Sequence, residues 1–291
     1  MTVATDPLYI AARCVLLDAL DALTVHRDAV IIVGAQAVYL HSSDADLDAG
    51  VAPYTTDGDL AIVPQRLSDE PEIADAMRRN GFTLKVKAGG GVEPGSWLAT
   101  VTVAGQPQVI PVDLIVPREL APGHGRRDAR LPDHASNATR WAAGLEAAVL
   151  DNQLMTVGSL QPDADTRQLQ VRVAGPAALL IAKCHKIYER LQDSQGRPHR
   201  VRSKDSGDVI RLMRGHTSAE QIGRQMAAMA DDAMAGSTVA VGVTLLESLF
   251  GRGASPGIAM AAEALTGALD AEQIRALAPA FLAELTRAYR G

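Results

Sequence analysis

YTTDGDLAIV, residues 54 to 63, sets two aspartates one residue apart at the entrance of an apolar run. In a β-strand, residues i and i+2 share a face. Asp57 and Asp59 therefore point one way, and Leu60 and Ile62 point the other way, into a core. Pro64 ends the strand, because proline has no N–H for the ladder. A third acid stands in QVIPVDLIVP (108–117), where Asp113 interrupts a strand that is otherwise apolar around it. A carboxylate in that position loses water, at a cost that only a cation or several hydrogen bonds offset. If the two strands are neighbours, three carboxylates meet at one sheet edge, a cluster that repels itself until a cation neutralises it. Hard oxygen donors of this kind suit Mg²⁺, or Mn²⁺ in its place. Two plainer readings stand beside this one. A D-x-D pair at a strand start also serves as a turn cap, and an Asp in an apolar strand also pairs with a buried Arg.

Outward from these strands, the apolar spacing over 7–25 predicts a helix, VIIVG (30–34) a buried strand ending in Gly34, and AQAVYLHS (35–42) a short helix. Residues 68–82 predict a helix with acids early, Arg78 and Arg79 late, and Gly81 just past its end. Strands follow at 82–87, 97–104 and 108–117, so the sheet is mixed, with an antiparallel hairpin at AGQP. The glycine-rich AGGGVEPGS lacks the G-x-x-x-x-G-K-[ST] spacing of a phosphate loop and reads as a hairpin connection. Residues 118–142 have no periodicity and read as a linker or surface loop. From 143 helical patterns dominate, at 175–191, 205–214, 218–233, 236–250, 255–268 and 271–289. The expected fold class is α+β, with a mixed-sheet domain over 1–142 and an α-helical domain over 143–291.

Composition narrows the function. A net charge of −6 argues against a chain that coats nucleic acid by bulk charge, though not against a local basic groove. Cys14 and Cys184 are too few and too far apart for a disulfide framework or a metal site. No apolar run reaches the roughly 18 residues of a membrane span, and the N-terminus has no signal-peptide pattern, so the expected setting is the cytoplasm, with no membrane partner. His26, His41 and His185 have no ligand spacing and read as packing or surface residues.

The second half carries its own pattern. In PAALLIAKCHKIYERL (176–191), Lys183, Lys186 and Arg190 form one basic stripe of a helix. KDSGDVIRLM (204–213) then sets Asp205 and Asp208 one turn apart. Three of the five lysines fall between 183 and 204. Either Lys183 and Asp205 simply tie two helices together, or Lys183 faces a polyphosphate and Asp205 orients it.

Gly34-Ala35, then Asp57-Gly58-Asp59 on a strand, then Asp113 on a later strand, together resemble the polymerase-β-like nucleotidyltransferases. With L-L-x-x-K ending at Lys183, K-D-x-x-D at 204–208 and Thr55 two residues before Asp57, residues 28–215 most resemble the abortive-infection type II (AbiEii) and MenT-type nucleotidyltransferase toxins. The resemblance implies a toxin of a toxin–antitoxin pair that moves a nucleotide from an NTP to an acceptor hydroxyl, in several members at the 3′ end of tRNA. It implies two Mg²⁺ ions held by Asp57 and Asp59, with Asp113 holding the one near the acceptor. Gly34, Ala35, Gln36, Thr55, Lys183 and Lys186 would line the nucleotide, with Lys183 and Asp205 catalytic, and an antitoxin protein is the expected partner. One departure stands out: the family's small residue and Ser or Thr after the first Gly are replaced by Ala35 and Gln36, whose amide would stand in for the hydroxyl. Arg126, Arg127, Arg197, Arg200 and Arg202 are candidate contacts to RNA phosphates. An antibiotic-modifying type of small-molecule nucleotidyltransferase shares the acids, and a non-catalytic nucleotide-binding scaffold could keep the fold.

Overall fold

Asp59, on β2 (Gly58–Ile62), sits between two partners: Val33 of β1 (Val30–Val33), antiparallel, and Asp113 of β5 (Gln106–Pro117), parallel. The sheet is built outward from this pair in a computed structural model that describes residues 6–48, 55–122, 127–193 and 201–291. On one side β4 (Val92–Val103) and then β3 (Thr83–Val86) add antiparallel to β5. On the other, β8 (Gln168–Ala174) runs parallel to β1, and β7 (Asn152–Gly158) closes that flank antiparallel to β8. The order β3-β4-β5-β2-β1-β8-β7 mixes both orientations. The short β6 (Arg140–Ala142) pairs with β5 over Ile115–Pro117, taking over the side that β4 leaves beyond Asp113.

Two expectations change here. The sheet does not stop at residue 142: β7 and β8 lie beyond it, in a stretch expected to be helical. Residues 118–142 also hold a strand, β6, as well as a single turn of 3₁₀ helix at Arg118–Leu120. The fold class is α+β with a mixed sheet followed by several helices, as the periodicities predict.

Helix α1 (Pro7–Ala22) starts with proline at its first turn, capped by Asp6, whose Oδ1 accepts from Leu8 N at 2.7 Å. Capping of this kind satisfies donors that the helix itself leaves open. Its buried Leu16 meets Gly58, where a Cβ would lie 3.2 Å from Leu16 Cδ1. Gly58 points away from Asp57 and Asp59, so α1 covers the face of β2 opposite the acids. Helix α2 (Gly34–Asp48) leaves β1 directly, and α3 (Ile73–Arg79) precedes β3. After the sheet come α4 (Pro176–Gln192), α5 (Ser203–Arg214), α6 (Ala219–Met229), α7 (Gly236–Phe250), α8 (Pro256–Ala264) and α9 (Ala271–Arg290). Ser218 and Gln221 form a reciprocal capping box at the start of α6. One apolar cluster runs from the sheet through the helices, joining Leu60, Ile62 and Leu114 to Leu180, Val209, Leu246 and Leu285. Among the described residues no helix is long and apolar enough to cross a membrane.

Candidate active site

The register sets a row across one end of the sheet: Ser96 opposite Asp113, Asp113 opposite Asp59, Asp59 opposite Val33. Residues in register on neighbouring strands point to the same face, so Asp59 and Asp113 share a side, and Asp57 joins them two residues earlier. Beside Val33 the chain turns at Gly34, whose φ of +67° is a left-handed value natural to glycine. A Cβ at this position would lie 2.1 Å from Asp59 Oδ2. Gly34 is thus required twice, once by its backbone and once because the Asp59 carboxylate occupies the space of a side chain.

The three acids stand in different electrostatic settings. Burial raises the Asp59 carboxyl to about 6, and the charges of Asp57 and Asp113 push in the same direction against Lys186 and Arg140. For Asp57, burial is outweighed by Lys204, the Thr55 hydroxyl, Lys186 and Lys183, which together hold it below the usual carboxylate value. Thr55, buried, donates its hydroxyl to Asp57 Oδ1 and accepts from Lys204 Nζ at 2.9 Å. Asp113 Oδ2 accepts from Arg140 Nη2 at 2.9 Å. The acid in the apolar strand has therefore found an arginine, one of the two readings its sequence allows.

Lys183 is 3% exposed, clamped between Asp205 Oδ1 at 3.0 Å and Asp208 Oδ2 at 2.6 Å. Burial opposes its charge, but Asp208 and Asp205 reverse that and hold the ammonium well above the ordinary lysine value. Asp205 is held by Lys183, by Lys186 at 3.3 Å and by Arg190. Burial raises its carboxyl, and the three cations, Lys183 foremost, bring it far below the usual range. The helix-tying reading of Lys183 and Asp205 is the geometry observed: they join α4 to α5, and Lys183 presents no open ammonium to a ligand. Its charge still acts on Asp57 through space.

Gln36 also departs from expectation. It is buried, with Oε1 accepting from Arg13 Nε at 2.9 Å, and its Nε2 has no partner among the described residues. Its amide oxygen faces Arg13 of α1. Ala35 is buried as well. Lys186 keeps 41% of its side chain exposed while it pairs with Asp205, and its charge acts on both Asp57 and Asp59, whereas that of Lys183 acts on Asp57. Sequence reasoning did not assign two residues found here. Lys204 stands in the sequence as the first letter of the K-D-x-x-D pattern. Arg140 had no signal, because nothing in 118–142 marks a strand that would bring it to Asp113.

Among the candidate RNA contacts, Arg127 pairs with Glu189 of α4 at 2.7 Å and Arg202 is exposed just before α5. Arg126, Arg197 and Arg200 lie outside the described residues. The glycine-rich stretch divides in two. Gly89, Gly90 and Gly91 form the exposed turn between β3 and β4, whereas Gly95 lies inside β4, where a Cβ would come 2.5 Å from Arg140 N. Nε2 of His26, His41 and His185 is within hydrogen-bonding distance of the backbone carbonyl of Pro71, Ala174 and Thr238 respectively. A cleft of about 270 Å³ lies away from the acids, beside His41, Asp151 and Gly175. Its carboxylate, Asp151, accepts from Ala178 N at 2.8 Å and caps α4.

The fit to a divalent ion is uneven. Among the described residues, no three Asp, Glu, His or Cys side chains are gathered closely enough to hold a metal. Asp57 and Asp59 supply hard oxygen donors, which suit Mg²⁺, but Lys204, Lys186, Lys183 and Arg140 already act on their charge. Asp113 joins them in register but is engaged by Arg140. No protein-family model matches the chain, and a search of curated proteins finds no match.

Proposed function

We propose that this protein is a metal-dependent nucleotidyltransferase, carrying a nucleoside monophosphate from an NTP to an acceptor hydroxyl. The observation that carries this reading is the register pairing of Asp59 with Asp113, with Asp57 on the same face and the Gly34 turn against the Asp59 carboxylate. Two Mg²⁺ ions at Asp57 and Asp59 would activate the attacking oxygen and balance charge on the leaving pyrophosphate. The chain's own residues account for the rest. The acceptor oxygen forms a bond to the α-phosphorus as the bond to pyrophosphate breaks, and Asp113, once released from Arg140, takes the hydroxyl proton. Lys186 and Lys204 face the triphosphate. Lys183, Asp205 and Asp208 fix α4 against α5, so that both lysines stand at the acids.

For the acceptor we favour the 3′ end of tRNA, and for the biology a toxin restrained by an antitoxin, both on the strength of the resemblance. The rim favours an anionic acceptor over a cationic drug: Lys204 reaches Thr55 beside Asp57, Arg140 pairs with Asp113, and the charge of Lys186 acts on Asp57 and Asp59. The test uses purified protein, Mg²⁺, each of the four α-labelled NTPs and total tRNA, with Asp57→Ala as control. Label entering tRNA from one NTP, and lost in the variant, supports the whole reading. Mg²⁺-dependent NTP binding that Asp57→Ala abolishes, without labelled RNA, keeps the site and rejects tRNA. Absence of any nucleotide binding rejects the enzyme.

A further inference from the structure

Two cations already touch the acid edge, and they are mounted differently. Arg140 belongs to β6, hydrogen-bonded beside β5, with Gly95 packed against its backbone. Its place is set by the sheet. Lys204 is the second residue of α5 and reaches Thr55 Oγ1 at the end of a flexible four-carbon stem. The next residue, Asp205, is anchored by Lys183, Lys186 and Arg190. The backbone at 204 is therefore held, while among the described residues the Lys204 ammonium makes one hydrogen bond, to a hydroxyl that in turn serves Asp57. Such a group is placed to change partners without any movement of the helix.

We propose that Lys204 is a positioning residue that holds Asp57 through Thr55 until a divalent cation takes over that charge, and then turns its ammonium to the polyphosphate. The inference rests on the reading of Asp57 and Asp59 as metal-binding carboxylates. It separates Lys204 from a merely structural lysine in two ways. Lys204 competes with the first cation, and it assists the anion that follows.

The experiment titrates Mn²⁺ into the full chain without nucleotide, reading free Mn²⁺ by electron paramagnetic resonance. Inorganic tripolyphosphate is then titrated at saturating Mn²⁺. Removing one neighbouring charge is expected to make Lys204→Met bind Mn²⁺ about tenfold more tightly, and tripolyphosphate about tenfold more weakly. Lys204→Arg, which keeps the charge, stays near wild type in both, and Lys204→Gln replaces Lys204→Met if the latter does not fold. Unchanged or weaker Mn²⁺ binding in Lys204→Met, with binding lost in Asp57→Asn, overturns the role of Lys204 and leaves the metal reading standing. Mn²⁺ binding that is absent in wild type, or indifferent to Asp57→Asn, overturns the metal reading and this inference with it.

Discussion

Replacing Lys183 with Met keeps the length of the side chain and removes the positive charge between Asp205 and Asp208. Asp205 retains Lys186 and Arg190, whereas Asp208 loses the ammonium 2.6 Å from its Oδ2. With Lys183 only 3% exposed, solvent screening offers little relief. Breaking a buried ion pair by removing one partner costs about 3–5 kcal/mol, and the surviving partners of Asp205 place the expected loss near the lower end, about 3 kcal/mol. At roughly 2 °C per kcal/mol for a chain of this size, the melting temperature falls by about 6 °C. Urea unfolding followed by circular dichroism should show a lower midpoint with an unchanged slope. The second change, Lys183→Met with Asp208→Leu, also removes the stranded carboxylate and should return stability to within about 1 kcal/mol of wild type. Asp205 gives the pH sign. Its folded value is depressed, so its contribution is complete above about pH 4 and fades as pH falls toward the folded value. A loss under about 1 kcal/mol in Lys183→Met, the size typical of an exposed pair, would refute the buried clamp.

Two further outcomes test the acid edge. Gly34→Ala forces a left-handed φ on alanine and drives its Cβ into Asp59 Oδ2. With the carboxylate displaced by about 1 Å, nucleotidyl transfer should fall about a hundredfold, measured as labelled product, while thermal melting confirms that the variant folds. Asp59 supplies a pH signature in the metal-free chain. Its folded value of about 6 lies above the usual carboxylate value, so the folded state holds a proton that the unfolded state has released. Its contribution therefore lowers stability as pH rises from about 4 to about 6. Melting temperatures in chelator across that window should lose this component in Asp59→Asn, and an identical profile in both proteins rejects the assignment.

The local patterns were dependable where one residue type had one physical use. The apolar spacing of 176–191 becomes α4, the apolar run around Asp113 becomes β5, and Gly34 marks the turn that follows β1. The strand β8 was also legible: QLQVRVA alternates, with Val171 and Val173 buried. The helical run just after it, Pro176–Gln192, carries the longer periodic pattern. Its partner β7 was harder, since an edge strand with Leu154 63% exposed shows little of the usual alternation. At the site, the three acids and the lysine-rich segment were visible as residue types. Which lysine faces the acids was not, because Lys183, Lys186 and Lys204 differ in burial and not in chemistry.

The sequence by itself determined that Asp57 and Asp59 share a face, that Asp113 interrupts an apolar strand, and that Lys183 and Asp205 stand on helices able to pair. Each of these follows from a repeat of two or of 3.6 residues along a single element. Only the tertiary structure decided that β2 lies parallel beside β5 with Asp59 opposite Asp113. It also decided that Arg140 reaches Asp113, that Lys204 reaches Thr55, and that Gln36 turns toward Arg13. These pairings join residues 23 to 149 positions apart. They depend on how whole elements dock, and docking is set by the sum of many buried apolar contacts, which no local period records.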